Sequence, residues 1–358
     1  MATNFSDKLT VVIPTYNRPK YLRRSLHYWG RTDFMVIVAD GSEKQFDGEI
    51  PSNVSYFHEN ELNPTLRSFT ALQKVRTPYV VLCADDDFFS LKGIFACIDF
   101  LNNQSDYASV QGHAIEFEIE DKNNITVRTL NDKRIGHRID GNAAIERLSQ
   151  LFDEYVYQIY SVYRTPMLKL AIETCVDQKN GSYMELTAAI VPSIFGKHKV
   201  LPIFYSAREN LPGSGSSTVE ALRFDILNTE GMLDYAQWRD KISRIYSEAE
   251  GVPLNVALEI VEDTFAKYCA WDLRVYPHRR SLHERGKSKW FPIKKLLKKI
   301  IPPSLLKARR KILERLRNGG NTSGVLTNSP GFPWSDPDAA IEWQKMVNTI
   351  NNHSSLVQ

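Results

Sequence analysis

Four short runs of apolar, largely β-branched residues punctuate the start of the chain: LTVVIP (Leu9 to Pro14), FMVIVAD (Phe34 to Asp40), VSYF (Val54 to Phe57) and YVVLC (Tyr79 to Cys83). A strand with no polar alternation is buried on both faces, which only a covered sheet provides. Between the runs the apolar spacing turns helical. Tyr21, Leu22, Ser25, Leu26 and Trp29 recur along one helix face and Gly30 ends it; Leu66, Phe69, Leu72 and Val75 mark a second helix that starts after Asn63 and Pro64. Strands alternating with helices at this spacing predict βαβ units, hence an α/β fold with a mostly parallel, Rossmann-like sheet and helices on both faces. Such sheets bind ligands at the carboxyl ends of their strands.

From Tyr107 to Leu130 the pattern alternates as in a half-buried strand pair. Ala143 to Phe152 and Met184 to Phe195 read as helices, and Lys199 to Tyr205 as extended chain. Beyond Ser217 the chain is mostly helical to about Tyr276, with Pro253 beginning a new helix. The expected organisation is a catalytic domain over 1–215, a helical accessory region over 216–286, a basic amphipathic segment over 287–317, and a loop-rich tail over 318–358 with a short helix around Ala339 to Ile350. A chain that is 42% hydrophobic and 24% charged buries a core, which excludes a disordered protein.

Charge is unevenly spread. Lys287 to Arg317 holds twelve Lys or Arg against the single acid Glu314; that block of +11 within an overall +3 leaves −8 for the remainder. A local basic block on an acidic protein points to an anionic partner surface rather than to nucleic acid. The chain shows no charged segment leading into a signal-like apolar run and no apolar stretch of membrane-spanning length, so a cytoplasmic location is expected. Cys83, Cys97, Cys175 and Cys269 lie far apart with no CxxC pair, and are expected to be buried, reduced thiols.

The chemistry-bearing residues fall at strand ends. Asp85, Asp86 and Asp87 directly follow an apolar strand, where three adjacent acids repel one another unless something positive offsets them. A divalent cation does so, and hard carboxylate oxygens suit Mg²⁺ or Mn²⁺. Asp40 ends the second strand. Its carboxylate can accept a hydrogen bond from a nucleobase imide N–H, or it can cap the ADGS turn. Arg67 suits a diphosphate, but suits an ordinary surface position equally.

Taken together, TVVIPTYNRPKYLRRSL (Thr10 to Leu26), VIVADGS (Val36 to Ser42) and TPYVVLCADDDFF (Thr77 to Phe89) resemble the GT-A, family-2 glycosyltransferases over the whole nucleotide-binding half. The resemblance implies a nucleotide-diphosphate sugar as donor, with Thr15, Asn17, Arg18 and Asp40 around the nucleoside. It implies a DxD-type loop in which Asp87 binds Mn²⁺ or Mg²⁺, Asp85 serves ribose or metal, and Asp86 belongs to the donor-binding loop. Ala84 stands where many members carry a further Asp, so the assignment within the loop stays open.

An inverting transfer needs a general base, which the resemblance places at the start of a helix in GSYMELTAAI (Gly181 to Ile190). That residue is Glu185, with Asp177 the alternative; a plain first-turn acid would also fit the position. The expected acceptor is a hydroxyl of a surface glycan of capsule or O-antigen type, free or lipid-linked. Arg208, in SARENLPGSGSS (Ser206 to Ser217), suits a phosphate if that stretch covers the donor; a plain linker fits as well. A catalytically weak subunit that recruits an assembly enzyme to the membrane is a competing reading, though the intact triple Asp weighs against it. A nucleotidyl- or phosphotransferase would show a glycine-rich loop with a lysine, and none opens the chain.

Lys289 to Leu313 sets Ile293, Leu296, Leu297, Ile300 and Ile301 on one helical face and Lys294, Lys295, Lys298 and Lys299 on the other, with Trp290 and Phe291 at the edge. Such a segment suits the anionic inner face of a membrane. Packing of its apolar face on the protein is the alternative.

Overall fold

The computed structural model describes residues 7–61, 63–121, 124–129, 136–211, 221–277, 326–327 and 337–353. The basic segment and the end of the Ser206 to Ser217 stretch lie outside them.

Strand β1 (Leu9–Thr15) is the centre of the sheet, and Leu9, Val11, Val12 and Ile13 are wholly buried. It pairs in parallel with β2 (Met35–Asp40) on one side and β4 (Tyr79–Leu82) on the other, and β3 (Val54–His58) continues the parallel set beyond β2. The connecting helices are α1 (Pro19–Trp29) and α2 (Pro64–Lys74), both with proline in the first turn. Asn63 caps α2 by accepting from the amides of Thr65 and Leu66.

After the acidic loop come β5 (Phe88–Phe89) and α3 (Leu91–Asn103). The alternating stretch forms β6 (Tyr107–Asp121) and β7 (Asn124–Thr129), antiparallel to each other. Then follow β8 (Arg138–Ile139), α4 (Ala144–Gln150), β9 (Val162–Arg164), α5 (Thr165–Thr174), α6 (Ser182–Phe195) and β10 (Lys197–Glu209). Sequence periodicity did not reveal α3, β9 or α5. The parallel set is not continuous either, because β9 inserts between β4 and β6 and runs antiparallel to both. β10 pairs with β6 and also with β5, so the strand beyond the acidic loop is clamped from the far side of the domain. Gly93 allows this: a Cβ there would lie 2.4 Å from the carbonyl oxygen of Phe204.

A short α7 (Leu222–Asp225) leads to two 22-residue helices, α8 (Thr229–Glu250) and α9 (Leu254–Val275). Asn228 caps α8, and Gly251 ends it with a left-handed φ of 66°. These helices share one core with α4 and α6, including Leu148, Leu186, Ile190, Trp238 and Phe265. α6 therefore belongs to both halves of the molecule. The chain then returns to the sheet: β11 (Leu326–Thr327) pairs with β7, and α10 (Pro337–His353) buries Ala339, Met346 and Ile350 in the core shared by β1, α1 and α3. Among the described residues no helix is long and apolar enough to cross a membrane.

The indole of Trp238 is fully buried and donates to Thr187 Oγ1 at 2.8 Å, joining α8 to α6. Trp238→Ala is expected to cost about 3–5 kcal/mol in denaturant unfolding. Thr187→Val, which leaves the indole N–H buried and unpartnered, is expected to cost about 1–3 kcal/mol. Losses under half a kcal/mol for both would show that the helical region is only loosely attached.

Candidate active site

The register sets the site. Thr15 and Asp40 lie abreast at the ends of β1 and β2, and the amide of Cys83, at the end of β4, donates to Val12 O at 2.9 Å. Three loops therefore leave the sheet side by side. After β1 the chain turns through Asn17, the one described non-glycine residue with a positive φ (52°), a conformation that asparagine tolerates better than most. Its amide donates to Ser42 Oγ at 2.7 Å, and its Oδ1 accepts from the amide of Glu43 at 3.1 Å, so the first two loops are tied together.

Asp40 organises the second loop. Its Oδ1 accepts from both the amide and the hydroxyl of Ser42, and its Oδ2 accepts from the Tyr56 hydroxyl at 2.6 Å. Burial and that bond to Asp40 push the Tyr56 hydroxyl well above its usual range, so it remains a donor. The turn-capping reading of Asp40 is thus present in the structure, and a lone pair on Oδ2 remains for a base N–H. Gly41 is squeezed here: a Cβ would lie 2.2 Å from Glu61 O and 2.5 Å from Arg67 Cδ. Arg67 is buried rather than an ordinary surface arginine. It donates through Nη1 to Glu61 O and stands 5.4 Å from the Tyr16 ring, while its Nε has no partner among the described residues.

Asp85, Asp86 and Asp87 are all buried. Thr15 Oγ1 donates to Asp85 Oδ2 at 2.6 Å. Arg18 bridges the first two acids, Nη1 to Asp85 Oδ1 at 2.5 Å and Nη2 to Asp86 Oδ2 at 2.7 Å. Arg18 is the N-cap residue of α1 and supplies no side-chain cap; its side chain is spent on the acids instead. Asp87 Oδ1 accepts the amide of Glu209 at 3.1 Å. Two further residues, invisible to motif reading, complete the cluster. Arg24, 1% exposed on α1, donates to Asp86 O at 2.8 Å and pairs with Glu209 Oε2 at 2.6 Å. In the sequence Arg24 follows another arginine on a helix, and Glu209 sits in a linker-like stretch; neither position carried a signal.

The cluster holds four buried acids, Asp85, Asp86, Asp87 and Glu209, against Arg18, Arg24 and Arg208. Acidic groups outnumber basic ones four to three. Burial raises the Asp85 carboxyl to about 7 even with Arg18 drawing it down, and burial with the neighbouring Asp86 raises Asp87 well above the carboxylate range despite Arg208. No group of three or more metal-ligating side chains encloses a site among the described residues. A cation could therefore take only part of its coordination from the protein, as Mg²⁺-type ions do when substrate phosphates supply the rest. Asp87 Oδ2 and Asp86 Oδ1 carry no hydrogen bond among the described residues and are hard oxygen donors, so the residues fit such an ion.

Glu185 lies in the first turn of α6, and its Oε1 accepts from the Tyr155 hydroxyl at 3.3 Å. Tyr157 is close enough for Glu185 to raise its hydroxyl further after burial has done so, and Tyr157 lines a pocket with Gln111, His113, Val200 and Arg208. The Arg208 guanidinium covers the Tyr160 ring at 4.7 Å, and its Nε is buried without a partner among the described residues. Glu185, Tyr157, Arg208 and Asp87 thus form a spatial sequence from α6 to the acidic loop. Asp177 faces elsewhere, paired on the surface with Lys241 of α8.

Residues 10–149 match the family described as glycosyl transferase family 2. No curated protein matches the chain. Among solved structures, the S. aureus TarS fragment 1-349 aligns at 14% identity with a TM-score of 0.48, covering 78% of this chain and 77% of that one. The same fragment in complex with UDP-GlcNAc aligns at 14% identity and a TM-score of 0.43, over 75% and 91% of the two chains. The three strand-end loops, with Asp85, Asp86 and Asp87, all lie within the stretch 10–149 that is similar to glycosyl transferase family 2.

Proposed function

We propose that the protein moves a sugar from a nucleotide-diphosphate donor to a hydroxyl of a surface-glycan acceptor, free or lipid-linked, with inversion at the anomeric carbon. The observation that carries this reading is the cluster of buried carboxyl groups at the end of β4, joined through Thr15 and Arg18 to the loop where a nucleoside would lie. Asn17, Asp40 and Arg67 frame the nucleoside side, and Arg208 is placed for a phosphate oxygen. Asp87, with Asp85 or Asp86, would hold Mn²⁺ or Mg²⁺, which would neutralise charge on the departing nucleoside diphosphate.

Glu185 is the proposed base. It takes the proton of the acceptor hydroxyl while that oxygen bonds to the anomeric carbon from the face opposite the diphosphate; the sugar–phosphate C–O bond breaks and its electron pair leaves with the diphosphate. The first turn of α6 favours the ionised carboxylate, and Tyr155 holds it in place. The acceptor approaches through the pocket that Tyr157 and Arg208 line. The basic segment, read from sequence alone, supports a peripheral position on an anionic membrane surface where lipid-linked acceptors are assembled.

A screen of nucleoside diphosphates with Mn²⁺ should find one that raises the melting temperature, by about 2.7 kcal/mol of added stability at a hundred times its Kd. Protons compete with metal for the same oxygens, so the effect should be larger at pH 8 than at pH 6, either side of the Asp85 value near 7. Asp87→Ala should abolish the Mn²⁺-dependent part without unfolding the protein; an unchanged shift would remove the metal from Asp87.

Glu185→Gln should leave nucleotide binding intact and lower turnover by about 10²–10⁴, the usual span for a positioned base. Wild-type rates in that variant would move the base elsewhere.

Anionic but not neutral vesicles should cosediment with the protein. Replacing Lys294, Lys295, Lys298 and Lys299 by Gln should release it, since each lysine near such a surface contributes about 1 kcal/mol. Retention of that variant would assign the segment to the protein's own packing.

A further inference from the structure

α10 lies at the far end of the sequence from the acidic loop, yet it delivers a carboxylate to the residues just after it. Glu342 is 2% exposed. Its Oε2 accepts the amide of Leu91 at 2.8 Å and the hydroxyl of Ser90 at 3.4 Å, and its Oε1 pairs with Lys345 at 2.9 Å. Ser90 is the N-cap of α3 and uses its Oγ to accept the amide of Gly93 at 3.0 Å. The Leu91 amide, the first unsatisfied donor of α3, is left for Glu342.

Docking alone does not call for this residue. Ala339, Met346 and Ile350 already bury the apolar face, and Trp343 packs on Phe117 at 5.7 Å between ring centroids. A leucine at 342 would bury just as well, without the cost of desolvating a carboxylate. The charge is met here by a helix N-terminus, a hydroxyl and a lysine, each of which stabilises it. What it fixes is specific. Between Asp87 and Leu91 run only Phe88, Phe89 and Ser90, and each is held by the main chain: Tyr28 donates to Phe89 O at 2.5 Å, and the Ser90 amide donates to Tyr205 O at 2.8 Å. Phe88 pairs with Ala207 in β10, two residues before Glu209, whose amide holds Asp87.

We propose that Glu342 is a positioning residue for the acidic loop: by capping α3 from the C-terminal helix it anchors the end of β5 and, through it, the placement of Asp87. The catalytic importance of this anchor rests on the role proposed above for Asp87; the anchoring itself does not.

The test uses the full chain and the variants Glu342→Leu and Glu342→Gln. Leucine keeps the packing and removes the acceptor; glutamine keeps an acceptor without the charge. Hydrogen exchange of the ligand-free protein should accelerate about tenfold at residues 86–91 in Glu342→Leu, the equivalent of one charge-assisted hydrogen bond, and less in Glu342→Gln, with β1 and β2 unchanged. Mn²⁺ binding, followed by its paramagnetic signal with the stabilising nucleoside diphosphate, should weaken in the same order, and turnover should fall in kcat more than in donor KM. Unchanged exchange at 86–91, or equal acceleration across the whole sheet, would overturn the proposal. Local acceleration with Mn²⁺ binding unaltered in both Glu342→Leu and Asp87→Ala would uphold the anchor and remove the metal role of the loop instead.

Discussion

Everything around the proposed donor site answers one electrostatic demand, that of several carboxylates held out of water at the end of a buried strand. Water would normally screen them, and its removal makes each neighbour's charge count for more. The fold meets the demand from three directions. Arg18 comes from the start of α1, Arg24 from the middle of the same helix and Arg208 from the end of β10. Arg24 is otherwise a poor residue for its position, since its Nε and Nη1 are buried without partners among the described residues. It is kept where a carboxylate and a carbonyl of the acidic loop need it. The acids still outnumber these cations, and burial raises the Asp85 and Asp87 carboxyls, so a cation would enter the cluster in exchange for protons.

The same arrangement separates two sides of the site. Loops after β1 and β2, cross-tied by Asn17, Ser42 and Asp40, form a rigid frame on one side of the acidic residues. On the other side stands a tyrosine-rich wall, Tyr155, Tyr157 and Tyr160, between Arg208 and Glu185. α6 carries Glu185 at its start and is packed along its length against the helical region, so the distance between Glu185 and the acidic loop depends on how α8 and α9 sit. Trp238 and its bond to Thr187 fix that seating.

Much of this was legible in the sequence where the physics is local. The strands β1, β2 and β4 announce themselves because a doubly buried strand has few polar positions, whereas β3 is only half-buried; the acidic triplet stands out because three adjacent acids repel one another. Asn63 with Pro64 and Gly30 mark helix ends by backbone chemistry alone. The unreadable part depended on tertiary partners. Arg24 and Glu209 meet across the sheet, so neither shows a pattern in its own neighbourhood. β9 is three residues long and owes its existence to the gap between β4 and β6. Arg67 reads equally as a diphosphate contact or a surface residue, and only the structure shows it buried, with its side chain packed against Gly41 of the second loop. The tail helix was visible as an amphipathic stretch, but its buried Glu342 looked like any polar-face acid.

The return of α10 to the first core has a consequence for how the chain acquires its structure. Ser90 and Glu342 are 252 residues apart in sequence, so their contact closes only after the whole stretch between them has been made. Contacts of such separation form late, and the parallel sheet they complete is itself slow to assemble. During synthesis the strands of the nucleotide-binding half leave the ribosome long before the helix that caps α3. Until that helix docks, the Leu91 amide lacks the Glu342 carboxylate, so the capping of α3 is completed only when α10 is in place.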